Sequence, residues 1–571
     1  DKFLLLYFEG GLYDITPLKT ALTSATLATT NASPICSITT GTDHNLSLGD
    51  IILLDNVTLP VGTGYVDADF EDKLFQVTSI TSNTVFTITQ TTNATATVAT
   101  GGSIDVVPYE QVGPAAQTYG YGFGVGVYGS TIGGTGWGNA VNAASVTLEP
   151  GLWSLSNFGQ VLVATIANGK TFTWDSSIAA RLTTRASTTT SGFQTTNNPT
   201  ATRVTLISPT TRHLIHLGTE TTIGDPSTQD DMFIRFSIDE NINEYTPEAT
   251  NTAGTQRIQD GTKIIGALVA KENILVWTDN ALYTMKFVGA PFTFGFEQVG
   301  TNCGLIGKNA AIEIDGVAYW MGNNGFFSFD GTVNTLPCSV EDYVYDDIDT
   351  TKGQQVNAGI NNLFTEVVWW YPTAGSEFNN RYVVFNYGQS NGQLPMGNWY
   401  TGVNVNSIRT SWIDSLVYPK PYATAYNSSN DGTFPVVIGQ SGLGASVFFE
   451  QETGTDQVNP DGSTTILTSF VQSFDFSLQA NQSEIFLAMR RFLPNFKVLT
   501  GNNQVTIGVS DYPSDSVAAT RLSPFTIDAT TDKVDTRARG RYASIKIENI
   551  NLGETWRFGT FQVDLQPDGR R

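Results

Sequence analysis

The sequence predicts an all-β chain: a β-propeller platform, a small β-barrel or sandwich inserted near its start, and a β-sandwich-like region at its end. Three observations predict it. One hairpin pattern recurs at irregular intervals: Ile274 to Phe287 reads ILVWTDNALYTMKF and Val317 to Asp330 reads VAYWMGNNGFFSFD. Each is an apolar run up to Trp, then Asp-Asn or Asn-Asn-Gly, then an aromatic-rich run, the signature of two half-buried strands joined by a turn of positive φ. Related runs stand at Leu4 to Ile15 and at Val161 to Asp175, so the hairpin reads as a repeated blade. Composition agrees: of 571 residues only 15% are charged, against the usual quarter, and 11% are aromatic. Finally, no long stretch carries helical periodicity; Glu484 to Arg491 (EIFLAMRR) is the best candidate and suits a strand equally well.

In chain order, residues 1–20 form the first blade hairpin, ended by Asp14-Ile15-Thr16-Pro17 because Pro cannot occupy a central strand. Residues 21–107 change texture. They are Thr-rich with alternating apolar positions at Ser37 to Thr39, Asp50 to Leu54, Leu74 to Val77 and Thr84 to Ile88, and read as the inserted β domain. His44 falls on an expected exposed loop. Residues 108–470 resume the propeller with long loops, giving roughly five to seven sheet units, a range that a closed ring accommodates. Within them Tyr119 to Asn139 is a Gly/aromatic segment that cannot pack a core alone. It is either a flexible loop or an extended one lying on a neighbouring subunit, with Tyr119, Tyr121, Phe123, Tyr128 and Trp137 as anchors, since aromatics are favoured at interfaces. Residues 471–571 alternate again, most clearly at Trp556 to Leu565, and read as the terminal sandwich.

Chemistry is sparse. Three cysteines (Cys36, Cys303, Cys338) lie too far apart for a disulfide scaffold or a zinc cluster, and read as free core thiols. Of the three histidines, His213 and His216 sit on a predicted strand, where residues three apart face opposite ways; they read as ordinary strand and surface residues rather than shared metal ligands. No nucleophile elbow, phosphate-binding loop, dinucleotide fingerprint or zinc-protease helix occurs. Acidic runs occur at Asp67 to Asp72, at Asp230-Asp231 and at Glu341 to Asp349, without the spacing of a calcium loop. The chain is therefore expected to be no enzyme and to hold no cofactor or metal. Glu341, Asp342, Asp346, Asp347 and Asp349 are read as an exposed acidic strip. The formal net charge of −23 disfavours tight phosphate-backbone binding. It serves solubility, or it makes a wall that DNA passes without sticking. The apolar run Phe3 to Phe8 is too short for a secretory signal, and no run reaches the ~20 apolar residues of a membrane helix.

Several segments carry a resemblance. They are Gly11 to Leu18 (GLYDITPL), Gly136-Trp137-Gly138, Trp153 to Gly159, Thr246-Pro247 with Asn251 to Gly254, Ile274 to Gly295, Tyr319 to Gly322, Leu336 to Val340 with Asp342 to Val344, and the closing Val563 to Arg571. In this order, and covering most of the chain except 21–107, the sequence resembles the tail nozzle (tubular tail) proteins of short-tailed double-stranded DNA bacteriophages, the podovirus type. The motifs are packing and turn motifs, so their specificity lies in number and order. The resemblance implies a virion protein made in the host cytoplasm: a homohexamer below a head-to-tail adaptor ring, forming the distal tail tube. Such a tube retains the genome, conducts double-stranded DNA during ejection without specific binding, docks tail fibres or spikes, and can meet the host cell surface. The loop anchors Tyr119 to Trp137 would then serve assembly or gating, and the insert would face outward. Two rival readings remain: a receptor- or carbohydrate-binding phage tail propeller, and a glycan-degrading propeller enzyme. For the second, the carboxylate separations it needs are not readable from sequence.

Overall fold

The computed structural model describes residues 3–110, 151–188, 197–271, 273–376, 378–388, 398–403, 409–415, 417–427, 445–459, 463–478, 485–512, 520–521 and 524–569. It divides into two compact units, Asp1–Gln451 and Glu452–Arg571.

The first unit is a β-propeller with a domain inserted in its first connection. Seven antiparallel sheets follow one another among the described residues. Blade 1 is the hairpin Leu5–Phe8/Gly11–Asp14, whose turn residues Glu9 and Gly10 have φ of 49° and 83°. That backbone matches strand twist, and Gly supplies it at no steric cost. Blade 2 begins at Trp153–Phe158, blade 3 at Thr202–Ile207, blade 4 at Ile264–Ala270, blade 5 at Ala311–Ile314, blade 6 at Asn357–Asn361 and blade 7 at Ser411–Ile413. Blades 3 to 6 each have four strands in sequence order. From blade 2 to blade 7, the first strand of each blade packs on the first strand of the next, so these strands line the ring's axis.

Blade 1 closes the ring from both sides. Leu4 and Ile15 join Ala164, Phe172 and Trp174 of blade 2 in one buried cluster. On its other side Tyr7 packs on Tyr418, Tyr422 and Phe448 of blade 7 at centroid distances of 5.7, 5.7 and 5.0 Å.

The two tryptophan hairpins are the centres of blades 4 and 5. Asn273–Thr278 pairs with Ala281–Gly289, and Val317–Met321 with Phe326–Phe329. Trp277 and Trp320 are fully buried and meet edge to face at 5.4 Å. The expected positive φ at Asp279-Asn280 does not occur. Instead the Thr278 hydroxyl accepts from the amides of Asn280 (3.1 Å) and Ala281 (2.8 Å), closing the turn with a side chain. Asn168, at the turn of blade 2, does have positive φ, 58°.

Indole N–H groups stitch consecutive blades. Trp320 donates to Cys303 O at 2.8 Å, Trp369 of blade 6 to Ala310 O at 3.0 Å, Trp399 to Pro337 O at 2.8 Å and Trp412 of blade 7 to Ile360 O at 2.7 Å. Each bond satisfies a polar edge inside an apolar seam and fixes the register of one blade on the one before it.

The insert is one seven-stranded sheet running from Leu22–Thr29 to Val98–Pro108 in sequence. Its strand order is Lys73–Gln76, Ile51–Thr58, Val98–Pro108, Leu22–Thr29, Ile35–Thr39, Val85–Thr89, Ser79–Ser82. It curls until Lys73–Gln76 approaches Val85–Thr89, a half-barrel around Leu27, Ile38, Phe70, Phe75 and Phe86. Alternation explains the closure: Cys36 and Ile38, then Phe86 and Ile88, point inward, with polar neighbours outward.

The insert is tied to the ring by one polar node. Arg185 Nη1 donates to Asp14 Oδ2 (2.9 Å) and Thr16 O (3.0 Å), its Nη2 donates to the Tyr109 hydroxyl (2.9 Å), and that hydroxyl donates to Asp14 Oδ2 (2.8 Å). Hairpin, insert exit and blade 2 thus share one carboxylate. Arg185→Ala is expected to cost roughly 2 kcal/mol, because it leaves the half-buried Asp14 and the buried Tyr109 with fewer partners. Thermal unfolding of the whole chain measures it, and a midpoint within 1 °C of wild type would contradict the role given to the node.

The second unit is a β-sandwich. One sheet holds Phe470–Gln472, Tyr542–Asn549, Asn503–Ser510 and Thr520–Arg521, with Phe525–Ile527 beside Asn503–Ser510. The other holds Val534–Gly540, Leu487–Thr500 and Thr555–Pro567. Leu487, Met489, Phe492, Val505, Ile507 and Ile545 fill the space between. The ambiguous Glu484 to Arg491 is therefore strand from Leu487 onward. The unit starts at Glu452, earlier than the expected 471: Asp456 reaches the loop before the last strand, accepting from Gly553 N at 3.0 and 2.8 Å.

Candidate functional site

Three places in the first unit gather polar chemistry: the acidic segment between blades 5 and 6, the buried histidines of blade 3, and the axis of the ring. The anchors Tyr119, Tyr121, Phe123, Tyr128 and Trp137 lie outside the described residues.

The acidic segment is not one exposed strip. Residues Glu341–Asp347 form a short α-helix and Thr350–Gln355 a 3-10 turn, bridging the last strand of blade 5 and the first of blade 6. Val344 is buried beneath the helix, and the Tyr345 hydroxyl contacts Gly322 O (2.8 Å) and Gly325 O (2.9 Å) at the turn of the blade 5 hairpin. Only Asp342 and Asp346 are exposed; Glu341, Asp347 and Asp349 are half-buried. Asp347 accepts from Arg381 Nε at 2.9 Å. Asp349 caps the 3-10 turn, accepting from Thr351 N (3.1 Å) and Oγ1 (2.6 Å). Burial pushes its carboxyl upward, but these bonds and Lys352 outweigh burial and hold it below the usual carboxylate range. Asp347 and Asp349, two of the five carboxylates, therefore have structural partners. The sequence could not show this, because Arg381 lies on a distant strand.

The histidines are core residues, not the surface and loop residues the sequence led us to expect. His216, inside Leu214–Thr219, is fully buried between Thr202 Oγ1 and the Tyr245 hydroxyl, each at 3.1 Å. Burial, and then the nearby Arg235 charge, push its pKa down to about 3. His213 is also fully buried, among the rings of Phe236 and Phe294. The two imidazoles sit in separate clusters. His44 is buried in the insert, its Nε2 2.9 Å from Ser82 O and its Nδ1 accepting from Leu46 N at 2.9 Å. Polar neighbours such as Thr202 and Ser82 let imidazoles enter a core, and they come from strands the sequence could not pair.

Among the described residues one carboxylate trio, Asp55, Glu71 and Asp72 of the insert, brings ligand atoms within 4.8 Å of one another. Glu71 already accepts from Asn56 N (3.2 Å) and Val57 N (2.6 Å), so it closes a turn. The three cysteines are free thiols, as expected. Cys36 and Cys303 are buried and Cys338 half-buried, and burial pushes Cys36 up to about 11 and Cys338 up to about 12. Thiols so shifted are poor nucleophiles.

At the axis stands Lys308, just before the first strand of blade 5. It was not singled out in the sequence. Its Nζ donates to Ser154 Oγ at 2.6 Å and to Leu152 O at 3.3 Å, both at the start of blade 2. Burial, and then the Arg203 charge, lower its pKa to about 7. Arg203 Nε donates to Ile264 O at 2.9 Å, with Asp231 Oδ2 3.4 Å from its Nη1.

No family model matches this chain, and no curated protein matches it. Solved structures that align with it include a computationally designed protein, Ika8, at 8% identity over 72% of this chain and 96% of that one, TM-score 0.30. The endosialidase of phage phi92 aligns at 10% identity over 82% of this chain, TM-score 0.16, and 60% of its own length is covered. An exo-β-1,3-galactanase of Phanerochaete chrysosporium aligns at 9% identity over 74% of this chain and 97% of its own, TM-score 0.21. Superpositions this loose carry no argument about chemistry.

Proposed function

We propose that this chain is a structural protein of a phage virion: the tail nozzle, a homohexamer that forms the distal DNA conduit, retains the genome and conducts it during ejection. One observation carries the reading, the ordered series of nozzle-like segments from Gly11 to Arg571. Their placement supports it. Trp153 opens the first strand of blade 2, Ile274 to Gly295 forms the middle of blade 4, and Trp320 holds the seam to blade 4. Residues of this kind preserve a ring rather than a reaction. In this reading the acidic balance lowers adhesion of passing DNA, with exposed carboxylates such as Asp342 and Asp346 on the wall, and the half-barrel insert faces outward toward fibres, spikes or the host surface. The partners above the ring are the head-to-tail adaptor proteins, and no enzymatic step is assigned.

Native mass spectrometry of the purified chain tests it. Six copies are expected, and deletion of 119–139 should reduce the hexamer to smaller species. A monomer at micromolar concentration, with or without the adaptor, would sink the proposal. A carbohydrate-binding propeller is the second reading. It is favoured by aromatic rings exposed at hairpin tips, Phe292 at 77% and Phe364 at 49%. Saturable binding on a glycan array, lost on replacing those rings, would support it over the nozzle. Polysaccharide cleavage abolished by one carboxylate substitution would instead indicate the enzyme.

A further inference from the structure

A free sheet edge invites another strand, and folded chains blunt such edges with charges or bulges. In the terminal sandwich Val534–Gly540 turns Asp535, Arg537 and Arg539 outward. The ladder that carries Thr555–Pro567 is broken by register shifts at Asn495/Phe496 and Phe496/Val498. The edge at Phe470–Gln472 has neither device. It is the outermost strand of its sheet and pairs with Tyr542–Asn549 alone. Asn549 N donates to Ser469 O (3.3 Å) and Ser473 N to Ile545 O (2.9 Å), so Ser469, Val471 and Ser473 bond inward. By the alternation of an antiparallel ladder, the amides and carbonyls of Phe470 and Gln472 point away from the sheet.

The side chains along this edge are apolar and exposed: Leu467, Phe470 at 59%, Val471 and Phe474 at 93%. On the strand it pairs with, Lys546 and Glu548 neutralise each other: Lys546 Nζ is 2.5 Å from Glu548 Oε2 and 4.8 Å from the centre of the Phe470 ring. Charge then indicates which partner can approach. Glu452–Arg571 holds 12 Lys and Arg against 14 Asp and Glu, a net −2, whereas Asp1–Gln451 carries the remaining −21. Two copies of this chain repel each other through their propeller units, and their sandwiches can meet with little of that repulsion. A neutral apolar edge fits a partner as uncharged as itself, and the sandwich of a second copy is one.

We propose that a second copy of this chain docks on the edge at Ser469 to Phe474, adding an edge strand of its own terminal sandwich to this sheet. Backbone bonds to Phe470 and Gln472 fix the register, and Leu467, Phe470, Val471 and Phe474 are covered by the partner. The inference rests on the reading of the chain as a homo-oligomer, and it names the surface that joins the copies. The edge one copy offers and the edge it receives need not be the same, so the pairing can run head to tail and close as a ring.

Gln472→Pro in the full chain tests the proposal, because that N–H faces outward and its loss leaves the ladder to Tyr542–Asn549 complete. Native mass spectrometry is expected to show an oligomer for wild type and association at least tenfold weaker for Gln472→Pro, at an unchanged unfolding temperature. Should Gln472→Pro fail to fold, Phe474→Lys takes its place, since that ring is almost fully exposed. Hydrogen exchange of wild type is the second readout: the outward amides of Phe470 and Gln472 should exchange slowly in the oligomer and freely after dilution to monomer. Equal association in the folded variant, or free exchange of both amides in the oligomer, would overturn the proposal and leave the hexamer reading standing. A monomeric wild type overturns both. An assembly of some number other than six that Gln472→Pro dissolves would support the pairing and sink the nozzle.

Discussion

Trp320→Ala is expected to lower the stability of the propeller by about 3–5 kcal/mol, the range for emptying a buried large aromatic. The indole is fully buried, stacks on Phe327 at 5.6 Å and meets Trp277 edge on at 5.4 Å. Its N–H also satisfies Cys303 O at 2.8 Å, a carbonyl in the link from blade 4 to blade 5. The substitution thus opens a cavity, removes an aromatic pair and strips a buried acceptor in one seam. Trp320→Phe separates these terms. It keeps most of the packing and loses the hydrogen bond, so it should cost roughly 1–2 kcal/mol. Urea unfolding of the two variants measures both. A loss below about 1 kcal/mol for Trp320→Ala would show that the seam collapses around the gap and that the stitch contributes little.

The second large effect is acid lability through His216. Its pKa in the fold is about 3, against 6.5 in the unfolded chain. Above pH 6.5 the ring is neutral in both states and contributes no pH dependence. Between 6.5 and about 3 the unfolded chain takes up a proton that the folded one refuses, so stability falls as pH falls. With 1.36 kcal/mol for each pH unit, the loss tends toward a ceiling on the order of 5 kcal/mol. His213 adds to it in the same direction, because burial lowers its pKa while Asp239 opposes that. His216→Gln, which can still bond Thr202 and Tyr245, should flatten the curve in this window. Carboxylates held low, such as Asp349, act at lower pH and remain in both proteins. Chemical unfolding at pH 7, 6, 5 and 4 gives the two curves, and parallel curves would exclude His216 as the cause.

Much of this fold was readable before the coordinates, and for one reason. A half-buried strand writes its alternation locally, so Ile274 to Phe287, Val317 to Asp330 and the insert's Ser37 to Thr39 announced themselves. What a strand meets across a seam is not written locally. Trp320 reads as a packing residue in the sequence, yet nothing near it says that its N–H reaches Cys303 O. The same limit misplaced the polar residues. Glu341 to Asp349 reads as solvated because its charges are adjacent, whereas Arg381 and the turn at Gly322 convert it into a helix with structural bonds. His216 reads as an ordinary strand histidine because Thr202 and Tyr245 are remote in sequence. Lys308 gave no signal at all, since a single lysine before a strand is common and its meaning comes from which blade lies opposite. The turn at Thr278 failed for another reason: threonine's hydroxyl can close a turn that Asn or Gly would otherwise close with positive φ.

The blade 1 hairpin has a consequence for how the chain acquires its shape. Tyr7 belongs to the first blade made, and its partners Tyr418, Tyr422 and Phe448 to the last. Contacts so distant in sequence form slowly, because the intervening loop must close before any of them is gained. During synthesis blades 2 to 6 can assemble outward from one another while the hairpin, already docked on Trp174, keeps one flank bare. An arc interrupted before blade 7 would present that flank to any other apolar edge, including the unfinished end of another chain. Truncation near residue 400 should therefore yield not a smaller propeller but open arcs that join end to end.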